Sequence, residues 1–247
     1  MRHRPAHLRR THPGHRRTLL PPTNQLNQRA AVDTRSRELA VWASMTIAES
    51  LIPRWLVLLR QQQQGEGYRP TAVSLNAANS RHVVEAVRDG TAQVGFVEGV
   101  EASTGVRSGT VAHDEFVLVT ASRTPLSRRR TALTPDEVAG LALTSREQGS
   151  GTREVLGIAL AKHVPMAGEP DVEVTTATAI REPVIAGSAP AFLSRRVARD
   201  VGSGSLGVVA VQDLDLRRYF RAVWVGNKHP PAGAVRDVVA IARATET

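Results

Sequence analysis

The sequence predicts an α/β protein with a mostly parallel sheet covered by helices. Three observations carry this. Short apolar runs alternate with amphipathic stretches of helical spacing from Glu38 onward. The joints between them hold Gly, Asp, Asn and Ser, the residues of turns and caps. Apolar residues make up 41% and charged residues 22% of 247 positions, a balance that supports a sizeable core.

Leu39, Val41 and Ala43 form a first strand ending at Ser44. Ile47, Leu51, Trp55 and Leu59 then recur at helix spacing, which predicts a helix over Thr46–Arg60, kinked or delayed by Pro53 and ended by the run Gln61–Gln64 and Gly65. Thr71–Leu75 is a strand. Asn79-Ser80 caps a helix that turns Val83, Val84 and Val87 inward, Asp89-Gly90 is a turn, and Val94–Val97 is the next strand. A second cycle follows. Phe116–Thr120 is a strand, and Thr134-Pro135-Asp136-Glu137 opens a helix with a cap, an early proline and early acids. Leu141–Thr144, Val172–Thr175, Ala191–Leu193, Leu206–Val211 and Tyr219–Val225 are strands. Thr152–His163 and Ala179–Ala186 are helices, and Ala234–Ala242 marks a closing one.

Charge is unevenly placed. Residues 1–36 hold eight Arg and one Asp, most of the net +9, while the rest is close to neutral. The segment 1–37 therefore reads as a disordered basic tail or as a basic arm touching nucleic acid, and the body is not itself a nucleic-acid-binding surface. The chain has no cysteine, which excludes disulfides, thiolate metal sites and a cysteine nucleophile. No apolar run approaches the roughly 20 residues that span a bilayer. The basic start is not followed by an apolar stretch of the secretory kind.

The search for enzyme chemistry is negative. Gly202-Ser203-Gly204-Ser205-Leu206-Gly207 fits G-x-G-x-x-G literally, but a strand follows where a dinucleotide site needs a helix. His82, His113, His163 and His229 are widely spaced and read as surface or capping residues. His113-Asp114-Glu115 has metal-ligating types, but neighbours on a strand point to opposite faces. No metal, cofactor or catalytic residue is expected.

The most informative segment is Arg146-Glu147-Gln148-Gly149-Ser150-Gly151-Thr152-Arg153-Glu154. It follows a predicted strand and opens a helix. Gly149 and Gly151 permit a sharp turn with close backbone approach. Free N–H groups with the Ser150 and Thr152 hydroxyls make an anion seat, to which Arg146 or Arg153 adds charge-assisted bonds. An ordinary helix start capped by Ser150 fits the same residues. Ser44-Met45-Thr46 and Asn79-Ser80 are similar polar helix starts. In parallel sheets such starts gather beyond the carboxyl ends of strands, where ligands bind.

The ordered set Ala43–Pro53, Asn79-Ser80, Val94–Gly99, Asp114–Val119, Arg146–Arg153, Thr178-Ala179-Ile180 and Phe192–Arg196 resembles the effector-binding domain of LysR-type transcriptional regulators, over about Leu39 to Arg243. The Arg-Glu-x-Gly-Ser-Gly-Thr-Arg form looks like the branch of sulfur- and carbon-assimilation regulators. The resemblance implies an α/β fold of the type 2 periplasmic-binding-protein kind, with two lobes of mostly parallel sheet, a hinge and a central cleft. Lobe I would be about 38–115 plus 214–247 and lobe II about 116–213, the whole domain covering 38–247. Carried over, Ser44, Thr46, Asn79, Ser80, Glu98, Ser150, Thr152 and Thr178 line the cleft or hinge, with Arg146, Gly149 and Gly151 beside them. The resemblance also implies a homo-oligomer. Two departures stand out. Trp42 is bulky where the family has a small residue, and Pro190 interrupts a normally Gly-rich turn. The 37 residues before the domain are too few for the family's winged helix-turn-helix, so specific promoter binding by this chain alone is not expected.

The functional expectation is a cytoplasmic sensor of a small anionic metabolite or oxyanion, acting on transcription through ligand-biased lobe geometry. A transporter's solute-binding protein on the same fold is the alternative. An enzyme of the same superfold is the third reading, which no acid/base pair supports.

Overall fold

The computed structural model describes residues 38–99, 104–165, 170–198 and 204–246. The expectation of a disordered basic tail falls on residues outside these. Among the described residues nine strands join edge to edge into one sheet.

In the first half, β1 (Glu38–Ser44) lies parallel to β2 (Ala72–Ala78) and to β3 (Val94–Glu98). The helix expected over Thr46–Arg60 is two helices. Helix α1 (Met45–Ser50) stops at Leu51, and α2 (Ile52–Gly65) restarts with Pro53 in its first turn, where a missing N–H costs nothing. The glutamine run lengthens α2 to Gly65 instead of ending it. Gln63 is buried and exchanges two 2.9 Å hydrogen bonds with Thr71, pinning the helix end to the chain entering β2. Helix α3 (Ser80–Arg88) is capped as expected, the Asn79 side chain accepting from the His82 N–H at 3.0 Å.

The main departure concerns the sheet. β4 (Arg107–Ala121) begins well before the expected Phe116, and β9 (Arg217–Trp224) runs antiparallel to both β3 and β4. The sheet is thus mixed, parallel towards its ends and antiparallel at its middle. A single 15-residue β4 passes through both halves, pairing β9 along residues 107–115 and β7 and β8 along 116–121.

In the second half, α4 (Pro135–Ala139) carries the expected reciprocal cap between Thr134 and Glu137. β5 (Thr144–Arg146) lies parallel to β6 (Val172–Val174) and β7 (Ala191–Ser194). β8 (Leu206–Val209) follows the Gly-rich loop, so Gly204 and Gly207 serve a strand and not a nucleotide-binding helix start; Gly202 and Ser203 lie outside the described residues. Helices α5 (Gly151–Leu160), α6 (Ala177–Ile185) and α7 (Ala234–Thr245) complete the cover.

The central strands β3 and β7 are buried on both faces, which is why they read as continuous apolar runs, whereas the edge strands β2 and β6 are partly exposed. One cluster of the first half packs Ile47, Trp55, Phe96, Phe220 and Trp224 under α1, α2 and α7. Another packs Val83, Val87, Val97 and Val223 under α3, with Trp42 half-buried against it. The second half repeats this with Phe116, Leu156 and Phe192 on one face and Val119, Ile180 and Leu193 on the other.

Candidate functional site

The strand ends of the first half and the helix starts of both halves meet at one sealed polar centre. β1 ends on Ser44, β3 ends on Glu98, and α5 starts at Gly151-Thr152. Ser44, Thr46, Ser80, Glu98, Ser150 and Thr152 are all buried, an unusual density of polar side chains for an interior. Glu98 organises Ser44, Thr46, Ser80 and Thr152. Its carboxylate accepts from Ser44 Oγ at 2.7 Å and from Thr152 Oγ1 at 3.2 Å, and its backbone N–H donates to Ser80 Oγ at 3.3 Å.

The cation is one that sequence reasoning missed. Arg218, from β9, has a fully buried side chain. Its Nη1 pairs with Glu98 Oε2 and lies 3.3 Å from Thr152 Oγ1. Its Nε donates to Asp114 Oδ2 at 2.7 Å, and Nη2 sits 2.6 Å from the same oxygen, an ionic contact without a second well-angled hydrogen bond. The guanidinium lies between the rings of Phe116 and Phe220, 4.1 and 4.9 Å from their centroids. Asp114 is completed by Ser194 Oγ at 2.9 Å. Strand alternation builds this pair: Asp114 faces Arg218 directly across β4 and β9, on the same inward parity as Phe116 and Phe220.

Burial pushes the Glu98 carboxyl up, but Arg218, the Ser44 and Thr46 hydroxyls and the more distant Arg146 outweigh it and hold the group below its ordinary value. Glu98 is therefore an anion seated at the helix starts of α1 and α5.

The turn before α5 behaves as the spacing implied. Gly149 has φ +83°, and Gly151 packs so tightly that a Cβ there would lie 2.6 Å from the Glu98 carbonyl oxygen. Ser44 and Ser150 make no side-chain cap bond, so the capped-helix reading of Ser150 fails. The other expected residues are placed differently. Asn79 is spent on capping α3. Arg146 is buried but committed to Glu147 and to the Thr175 carbonyl, so it acts on Glu98 only as a remote charge. Thr178 bridges the halves, donating to Glu49 at 3.0 Å. Residues 113–115 alternate exposed, buried, exposed, which splits the adjacent metal-ligating types as expected. Among the described residues no group of three or more His, Cys, Asp or Glu is placed to hold a metal.

A mixed sheet in two halves, with both halves' helix starts converging on a polar centre, is the architecture of a type 2 periplasmic-binding-protein-like domain. The regulatory domain of CcmR from Synechocystis PCC6803, solved with 2-PG, superposes with a TM-score of 0.71 at 17% identity, covering 85% of this chain and 97% of that one. The effector-binding domain of QuiR, solved with shikimate, superposes with a TM-score of 0.72 at 12% identity, covering 85% and 96%. At such identities these likenesses speak for the fold alone. Residues 33–246 match the LysR substrate binding domain, and the chain belongs to that family. It is 40% identical over 207 residues to the uncharacterized HTH-type transcriptional regulator Rv2282c of Mycobacterium tuberculosis, covering 82% of this chain and 66% of that protein. That relative is named as a transcriptional regulator, and this chain spans about two thirds of its length. No described helix is long and apolar enough to cross a membrane.

Proposed function

We propose that the chain is the effector-sensing part of a cytoplasmic LysR-type regulator, works as a homo-oligomer, and takes a small anion as effector. The observation that supports this is the seat of Glu98. A carboxylate is held by a buried guanidinium and by hydroxyls from both halves of the sheet, which is the equipment of an anion site. In this structure the protein's own carboxylate uses that equipment. An effector competes with Glu98 for Arg218 and for the hydroxyls of Ser44, Thr46 and Thr152, with Ser150 buried beside them. Moving Glu98 loosens the contact between β3 and α5, and this biases how the halves stand to each other. Thr178 and Glu49 report the same movement at the rim. Oxyanions and small carboxylates or sugar phosphates both fit this chemistry.

The test is a thermal-stability screen with sulfate, phosphate and a panel of small carboxylates and sugar phosphates. Ligand at about 100 times its dissociation constant adds about 2.7 kcal/mol. A stabilising anion whose effect is weakened by Thr152→Ala supports the reading. A panel without effect, or a stabilising compound that is neutral, overturns it.

A further inference from the structure

The two crossing strands have a second face. Asp114 and Arg218 turn their side chains inward, so their neighbours His113, Glu115, Arg217 and Tyr219 point outward, and there they line a cavity of about 560 Å3 that Asp114 and Arg218 also border. Arg195 and Arg196, from the turn after β7, close it. Its wall is aromatic. The His113 and Tyr219 rings meet edge to face at 4.9 Å, Tyr219 is 47% exposed, and the Arg221 guanidinium stands 5.8 Å from the Tyr219 ring centroid. Its rim is cationic. Arg217 is held by Asp215 at 2.8 and 3.1 Å, and Arg195 by Glu115 at 2.9 Å, all four on the surface. Exposed pairs of this kind contribute little and exchange readily for another carboxylate or phosphate. Arg196 is tied more firmly, to Glu246 at 2.6 Å and to the His113 carbonyl at 3.0 Å, and keeps the turn in place.

A bare inorganic anion would use the guanidinium forks and leave the rings and most of the volume unused. A flat anion uses both, stacking on Tyr219 while Arg195 and Arg217 take its charged group. We infer that this outer pocket of the strand crossing is a binding site for a small anion bearing a planar ring, an aryl carboxylate or aryl phosphate. Asp114 and Arg218 separate this pocket from the Glu98 centre, but the residues that would grip the ligand, Tyr219, Arg195 and Arg217, make no contact with Glu98 or its hydroxyls, so the inference does not rest on the effector reading above.

The experiment follows backbone amide shifts of the full chain by NMR, with phenyl phosphate as probe and inorganic phosphate as the ringless comparison. Saturable shifts are expected at residues 113–115, 195–196 and 217–219. Phenyl phosphate should bind about tenfold tighter than phosphate. Tyr219→Ala should abolish that preference, Tyr219→Phe should retain it, and Arg217→Ala should weaken both anions. These side chains are exposed, so the remainder of the spectrum should stay unchanged and certify folding. Shifts confined to residues 44–46 and 150–152 overturn the inference, because they place the anion at the Glu98 centre only. Equal affinity for the two probes, or an unaltered preference in Tyr219→Ala, also overturns it.

Discussion

Asp114 and Arg218 stand directly opposite one another across the antiparallel pairing of β4 and β9, with Arg218 Nε donating to Asp114 Oδ2 at 2.7 Å and both side chains almost wholly removed from solvent. Arg218 extends on to Glu98, so one guanidinium bridges two buried carboxylates, with Arg196 3.9 Å from Asp114 as a second cation. Removing it deprives both of their nearest cation. Arg218→Met should therefore destabilise the fold by about 3–5 kcal/mol in urea unfolding, the cost of breaking a buried ion pair from one side. The exposed neighbour Arg217→Ala should stay within about 0.5 kcal/mol. Comparable losses for the two would mean that the inner network is not what holds the strand crossing.

The Glu98 carboxyl titrates lower in the folded chain than its ordinary value of 4.5. A depressed folded value means that the charged form is stabilised by folding. This contribution is fully present above the unfolded value and is lost as pH falls through the folded one. Stability should therefore decline below about pH 4.5 more steeply in the native chain than in Glu98→Gln. Parallel acid-unfolding curves for the two would remove Glu98 from this account.

Gly151 brings α5 against the end of β3 with no room for a side chain. The obstruction is backbone, which cannot swing aside. Gly151→Ala should cost about 1–3 kcal/mol through overpacking and should lengthen the Thr152–Glu98 contact. A crystal structure of the variant with that contact unchanged at 3.2 Å would contradict the packing argument.

Thr152→Ala removes a hydroxyl that faces Glu98 while the backbone N–H groups of α5 remain. Affinity for an anionic effector should fall by about 1–3 kcal/mol, roughly 5- to 150-fold, as read by calorimetry. Ser150→Ala should cost the helix little, because the Ser150 side chain makes no cap bond. An unfolding midpoint lowered as far as by loss of a true cap, about 1 kcal/mol, would restore Ser150 to that role.

Much of the fold was legible because local chemistry and tertiary need coincide. The Asn79 cap, the Thr134–Glu137 reciprocal cap and the valines of α3 each signal their element within a few residues. The early part of β4 was not legible. Arg107–Gly109 carry charge and glycine where a buried strand would carry β-branched residues, and pairing with β9 more than 100 positions away makes them a strand. The site divides in the same way. Ser44, Ser150 and Thr152 were visible as polar helix starts, a local signal. Arg218 was not, since its role depends on Asp114 and Glu98, which are distant in sequence. A signal was nevertheless present: Arg218 shares parity with Phe220, Ala222 and Trp224, a charge on an otherwise apolar stripe. Reading the strand from Tyr219 dropped it by one residue. Asn79 and Arg146 erred in the opposite direction, because the sequence shows that a side chain can bind an anion and not that a neighbour has already claimed it.

The unbroken β4 has a mechanical meaning. A domain whose halves meet through flexible loops opens like a pair of jaws. Here a single strand is shared by both sheets, so turning one half against the other must pass along it as torsion. The register slip between Thr110 and Ala112 is where the ladder with β9 has slack to take up that torsion. Amide exchange in this stretch should quicken when an effector binds, while Leu118-Val119, clamped between β7 and β8, should hold. A sensor built in this way behaves as a stiff torsion bar, converting the loss of a few buried contacts into a small and well-defined rotation.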